Sequence, residues 1–182
     1  MQAPPTPSSL TLLYSRETIA ARVQELARAL SRDFADREPI VIGVLKGAFL
    51  FVADLVRAVT IPVKVDFVRV TSYGRGTASS GTAQLITDLS LDLHGQDVIL
   101  VDTVLDTGLT LRSLFDLLAK RHPRTLSACV LIDKRRRRQV EMRADYVGFT
   151  LPDGFVVGYG LDHAEAYRNL DSIYLLTGTA SP

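Results

Sequence analysis

Val98-Ile99-Leu100-Val101-Asp102-Thr103-Val104-Leu105-Asp106-Thr107-Gly108-Leu109-Thr110 is the stretch on which the fold turns. Four consecutive apolar residues, three of them β-branched, are expected of a strand buried on both faces, as in a parallel sheet. Within a few residues the pattern changes to a helical one, with Leu111, Leu114, Phe115 and Leu118 on one stripe. A buried strand that runs straight into a helix leaves unpaired amides and the positive end of the helix dipole at the junction, a ready site for an anion such as phosphate. Gly108 is expected to let backbone approach that ligand, and Thr107 and Thr110 add hydroxyls. In open parallel sheets ligands bind beyond the carboxyl ends of the strands, where this junction falls. Asp102 and Asp106 beside a phosphate cradle call for a positive or hydroxylated partner: Mg²⁺, ribose hydroxyls or a developing cation.

Outward from this stretch the same alternation repeats. Ser15 is an N-cap candidate, and Ile19, Val23, Leu26, Leu30 and Phe34 form one helical stripe ending before Pro39. Ile40–Leu45 is a second short apolar strand, followed by a helix whose expected inner face is Phe49, Val52, Ala53 and Val56. Strands are expected near 63–70 and 126–132, with a hairpin return near 84–87. The run Ser72-Tyr73-Gly74-Arg75-Gly76-Thr77-Ala78-Ser79-Ser80-Gly81 predicts a mobile loop. Short strands near 146–149, 155–159 and 173–176 are expected to form a small hood or edge elements. Strands alternating with helices imply an α/β fold, a mostly parallel central sheet flanked by helices.

The 182 residues, 47% hydrophobic and 23% charged, suffice for one domain with a full core and do not have the composition of a disordered chain. Residues 1–10, with three prolines, are expected to be a flexible leader before a single domain over 11–182. The most hydrophobic stretch, 40–59, carries Lys46, Asp54 and Arg57 and is too polar to span a bilayer. The start lacks the basic and apolar regions of a signal peptide. The single cysteine, Cys129, excludes an internal disulfide, so a cytoplasmic home is expected. A net charge of +1 speaks against a general nucleic-acid or membrane-surface binder. Lys134–Arg138 nevertheless holds five of the 21 basic residues, leaving 16 basic against 20 acidic ones elsewhere. That tract is open to three readings: a solvated loop, a subunit contact or an anion site.

The Asp-Thr-Gly-x-Thr run after an acidic strand end resembles the phosphoribosyl-pyrophosphate loop of the type I phosphoribosyltransferases. Three further segments, in order, make the chain similar to the hypoxanthine-guanine phosphoribosyltransferases. Leu45-Lys46-Gly47 resembles their pyrophosphate loop, and Ser72-Tyr73 begins a segment similar to their flexible catalytic loop. Lys134, with Phe155-Val156-Val157-Gly158-Tyr159-Gly160-Leu161-Asp162 through Arg168, resembles their purine-binding end.

This resemblance implies the type I phosphoribosyltransferase fold with a small hood, and a purine-salvage reaction. Hypoxanthine or guanine would attack C1 of 5-phosphoribosyl-1-pyrophosphate, giving IMP or GMP and pyrophosphate. It implies Asp106 near purine N7 as general base or acid. It implies Thr107, Gly108, Leu109 and Thr110 around the 5′-phosphate, with Asp102 and Thr103 at the ribose. Lys46, Gly47 and Arg168 would take pyrophosphate, the Leu45–Lys46 bond being often cis in the family. Phe155 would stack on the purine, Val156 would offer backbone groups to its edge, and Lys134 would donate to O6. Mg²⁺ is the implied cofactor, with Asp162 and Asp102 as its contacts, and a homodimer or homotetramer the implied assembly. An ammonium only donates, so it suits a 6-oxo group and leaves a 6-amino group unmatched.

Where the family usually has two adjacent acidic residues, this chain has Asp102-Thr103. A hydroxyl at 103 brings no charge to metal, so phosphoribosyl-pyrophosphate or metal binding is expected to be weaker than with both carboxylates, and Thr103→Asp to improve it. Two other functions share the same fold: a nucleotide-sensing RNA-binding regulator, for which the basic tract would speak, and a xanthine-preferring transferase.

Overall fold

The computed structural model describes residues 10–72, 83–85 and 89–177. Its centre is a six-stranded sheet in the order β4-β3-β2-β5-β6-β7, formed by β2 (Ile40–Leu45), β3 (Lys64–Ser72), β4 (Ala83–Leu85), β5 (Asp97–Leu105), β6 (Thr125–Asp133) and β7 (Tyr146–Thr150). All neighbours are parallel except β4, which pairs antiparallel with β3 at the edge. Because successive strand residues face opposite sides, the apolar run of β5 feeds two cores. Ile99 and Val101 pack towards α1 (Arg16–Asp33) and α2 (Phe49–Ala58), while Val98 and Leu100 pack towards α3 (Leu109–Ala119).

The helices follow their sequence patterns with one shift. Ser15 caps α1, accepting from the Thr18 amide, and Ile19, Val23, Leu26 and Leu30 are buried along it. In α2 the inner face is Phe51, Val52 and Leu55; Phe49 and Ala53 are exposed, contrary to the expected stripe. Eight of its ten residues are apolar, so periodicity alone selects no single face; Asp54 and Arg57 on the outside do.

A second, antiparallel sheet, β1-β9-β8, forms the hood from β1 (Leu10–Tyr14), β8 (Val156–Val157) and β9 (Ile173–Leu176). Leu10 thus belongs to a strand rather than to the leader; the remainder of the expected leader, and the loop from Tyr73 to Gly81, lie outside the described residues. Strand β1 has no apolar alternation of its own, and its partner lies more than 150 residues away. Of the three tail strands, β7 joins the main sheet and only the other two build the hood. Among the described residues no helix is long and apolar enough to cross a membrane.

Candidate active site

The carboxyl ends of β5 and β6 and the hood strands converge on two adjoining hollows. The larger, about 820 Å³, is lined by Asp106, Lys134, Arg137, Phe155, Val156 and Asp162, among others. The smaller, about 130 Å³, is lined by Asp102, Asp106, Thr107, Gly108 and Thr110. Asp106 and Val104 are common to both, so the carboxylate of Asp106 stands at the joint between a base-sized cleft and a phosphate-sized one.

The smaller hollow is made chiefly of backbone. Helix α3 begins at Gly108, in the left-handed conformation at φ 86°, with no side-chain cap and no acidic residue in its first turn. Its first amides are therefore left for a ligand; the Leu109 amide makes only a long contact, 3.4 Å, to the Thr107 hydroxyl. Glycine at 108 also has a structural reason. A Cβ there would lie 2.9 Å from Arg138 Cδ and 3.1 Å from Val140 Cγ2, so Gly108 makes room for the supporting loop behind it and supplies its positive φ.

Asp102 and Thr103 part company. Adjacent on a strand, they point to opposite faces. Asp102 lines the phosphate hollow, where burial raises its carboxyl to about 6 against the pull of a hydrogen bond from the Thr103 amide. Thr103 is buried, its hydroxyl has no partner, and a Cβ on Gly47 would sit 3.3 Å from that oxygen. Thr103 thus faces the Gly47 loop, while Asp102 faces the phosphate hollow.

In the larger cleft Lys134 is buried, and its ammonium donates to the Gly154 carbonyl at 2.7 Å and lies 4.0 Å from Asp106 Oδ2. Burial draws its pKa below the usual lysine value, with Asp106 opposing the shift. Arg137, in the tract left open by its sequence, lies 3.4 Å from Asp106 Oδ1, an oxygen that is buried and has no hydrogen-bond partner. Phe155 is 39% exposed, lines this cleft and stands perpendicular to the His163 ring, with the centroids 5.4 Å apart.

Two further arginines of the tract, Arg135 and Arg138, brace the loop that carries Asp106. Arg138 Nε donates to the Asp106 carbonyl at 3.1 Å, and its other nitrogens reach the carbonyls of Leu105 and Met142 and the carboxylate of Asp133. Arg135 pairs with the other oxygen of Asp133 at 3.0 Å. The tract therefore buttresses the loop that carries Asp106, and its role was hidden because consecutive arginines give no periodicity.

On the other side, Lys46 and Arg168 are brought together. Leu45–Lys46 is a cis peptide. Gly160 packs on Gly47 so closely that a Cβ would collide with the Gly47 carbonyl, tying the hood to this loop. Glu165, which the sequence did not mark, accepts from Lys46 Nζ at 2.9 Å and Arg168 Nη2 at 3.2 Å. Asp162 pairs with Arg168 at 2.8 Å. Ser72 ends β3, in register with Ala83, while Tyr73 is outside the described residues.

The donor set suits a hard dication. Asp102 and Asp162 are the carboxylates that would offer oxygen to it, one in each hollow, and no cluster of three or more His, Cys, Asp or Glu occurs among the described residues. One or two carboxylates completed by water and substrate phosphates is how Mg²⁺ is commonly held. Cys129 is buried, and that burial pushes its thiol up to about 12, so it remains protonated and unreactive.

Comparison with known proteins places this architecture. Residues 9–164 match the family model described as phosphoribosyl transferase domain. A hypoxanthine-guanine phosphoribosyltransferase of Aquifex aeolicus is 49% identical over 92% of this chain and 94% of its own length. One from Bacillus subtilis is 43% identical over 91% and 92%. The solved structure of a hypoxanthine-guanine phosphoribosyltransferase from Bacillus anthracis superposes with a TM-score of 0.87 at 44% identity, covering 91% of this chain and 97% of that one.

Proposed function

The chain belongs to the hypoxanthine-guanine phosphoribosyltransferases, and on that premise we propose that it joins hypoxanthine or guanine to the phosphoribosyl group of 5-phosphoribosyl-1-pyrophosphate, forming IMP or GMP and pyrophosphate. The observation that carries this reading is the position of Asp106, shared by a cleft with a donor-only ammonium and a cradle of free helix amides.

In the reaction a purine nitrogen forms a bond to C1 of the ribose as the bond to the pyrophosphate oxygen breaks, and positive charge grows on the sugar. The carboxylate of Asp106 faces that charge and takes or returns the proton at N7. The amides of 107–109 and the Thr110 hydroxyl hold the 5′-phosphate, while Asp102 takes ribose hydroxyls. Phe155 stacks on the base, and Val156 meets its edge through backbone groups. Lys134, already bonded to one carbonyl, has further N–H groups to donate to O6. A site that relies on a buried polar bond can reject an analogue lacking the partner by about 10⁴. Adenine is accordingly refused. Lys46, Gly47 and Arg168 receive the pyrophosphate. Asp102 and Asp162 would hold Mg²⁺, whose charge neutralises the leaving phosphates when bound.

We also place the enzyme in the cytoplasm as a homodimer or homotetramer, on the strength of its family and its single, reduced cysteine. The RNA-regulator reading loses its main support, because Arg135, Arg137 and Arg138 are paired to groups of the chain itself. Incubation with phosphoribosyl pyrophosphate, Mg²⁺ and hypoxanthine should give IMP and pyrophosphate in equal amounts. Absence of either product contradicts the proposal.

A further inference from the structure

Two cations assigned to pyrophosphate already share an anion. Lys46, from the loop after β2, and Arg168, from the segment after β8, meet on one oxygen of Glu165, at 2.9 and 3.2 Å. The backbone is bent to aim that side chain. Ala164, Glu165 and Tyr167 all have positive φ, at 50°, 65° and 74°, a region that side chains adopt only where surroundings hold them. The Glu165 amide is tied to Asp162 Oδ2 at 2.9 Å, and His163 and Ala166 are bridged.

The arrangement does not complete the arginine. Nη1 donates to the Gly160 carbonyl and Nη2 is divided between Asp162 and Glu165, while Nε is buried without a partner. Nor is Glu165 packed in place: its side chain is 65% exposed, so it can leave into solvent without opening the core. An oxygen bridging a lysine and an arginine is what a phosphate oxygen would do there, with the arginine fork suited to more than one such oxygen.

We propose that Glu165 stands in for the pyrophosphate group in the ligand-free enzyme, and that its displacement sets the affinity for that group. The inference rests on the assignment of Lys46 and Arg168 to pyrophosphate. Each molecule of substrate must break both ion pairs before the two cations can engage it. Once pyrophosphate is released, the carboxylate returns to the same two cations and opposes rebinding of product.

Titration calorimetry with inorganic pyrophosphate, with and without Mg²⁺, on the full chain and Glu165→Gln tests this. Exposed ion pairs are individually weak, so the variant is expected to bind roughly two- to tenfold more tightly. The gain should shrink as KCl is raised and the pairs are screened. Glu165→Asp, too short to reach both cations, should fall between, and Glu165→Ala should match the glutamine variant. Unchanged affinity overturns the inference. So does weaker binding, which would make Glu165 a residue that holds the two cations in place. If IMP forms normally while pyrophosphate affinity is unchanged, the inference falls alone. If the full chain makes no IMP but Glu165→Gln still binds pyrophosphate more tightly, the functional proposal falls and the role of Glu165 stands. No pyrophosphate binding by any form overturns both.

Discussion

The phosphate cradle and the purine wall are built on different principles. The cradle is nine consecutive residues, Asp102–Thr110, and its working parts are mainly amides at the start of α3, positioned by a strand-to-helix turn. The purine wall gathers Lys134 and Arg137 from the end of β6 and beyond, Phe155 and Val156 from the hood, and Leu175–Thr177 from the last strand. The first is local and depends on backbone; the second exists only when the hood has docked. Changes in the cradle's carboxylate should therefore strike turnover, and changes in the wall should strike the choice of base.

The largest effect is expected at the joint between them. Asp106→Asn keeps shape and removes charge and proton transfer, and general acid–base catalysis is worth roughly 10²–10⁴ in rate. Steady-state assays should show that loss in kcat with hypoxanthine; turnover within about tenfold of the parent would remove Asp106 from its assigned role. Next comes the wall. Lys134→Gln replaces a donor-only group by one that also accepts, and losing a hydrogen bond from a charged donor should lower kcat/KM for hypoxanthine about 10- to 100-fold. Detectable use of adenine should appear in the same variant, measured as AMP formed. An unaltered ratio of hypoxanthine to adenine would break the contrast between the two regions.

Thr103 gives a stability effect rather than a kinetic one. The hydroxyl at this buried position has no hydrogen-bond partner, and a carboxylate left equally unpaired there would cost several kcal/mol, so Thr103→Asp should lower Tm by roughly 5–15 °C. It should leave the KM for phosphoribosyl pyrophosphate no lower, the reverse of the expectation from the family's paired acids. Thr103→Val removes a hydroxyl that bonds to nothing and should move Tm by no more than about 4 °C. The smallest effect is one of pH. Lys134 loses its proton at a pH below the ordinary lysine range because burial disfavours the ammonium. As pH rises through that point the amine gains a lone pair that can accept from a 6-amino group. The preference for hypoxanthine over adenine should therefore decline on the alkaline side, while the full preference is present below it; a flat ratio up to pH 10.5 would contradict this.

The same contrast explains what could be read from residues alone. The strand β5, the start of α3 and the roles open to Asp106 were legible because apolar run, glycine and helix stripe lie within one local stretch. Lys134 and Phe155 were found through similarity to the family, since neither has a local pattern that distinguishes it from a strand-end lysine or a core ring. Glu165 and Arg137 had no such signal, as their meaning lies in oxygen and nitrogen atoms supplied from elsewhere in the chain. The different surroundings of Asp102 and Thr103 were not legible in a motif read as one string, because alternation along the strand turns the two side chains to opposite faces. Gly108 was correctly seen as necessary, but the atoms that require it, on Arg138 and Val140, come from thirty residues further on.

The account stands most directly on the choice of base. With phosphoribosyl pyrophosphate and Mg²⁺ held saturating, kcat/KM should be measured for hypoxanthine, guanine, xanthine and adenine. Conversion of hypoxanthine and guanine to their monophosphates with release of pyrophosphate, and adenine slower by about 10⁴, is the predicted result. Comparable rates with adenine, or a clear preference for xanthine, would contradict it.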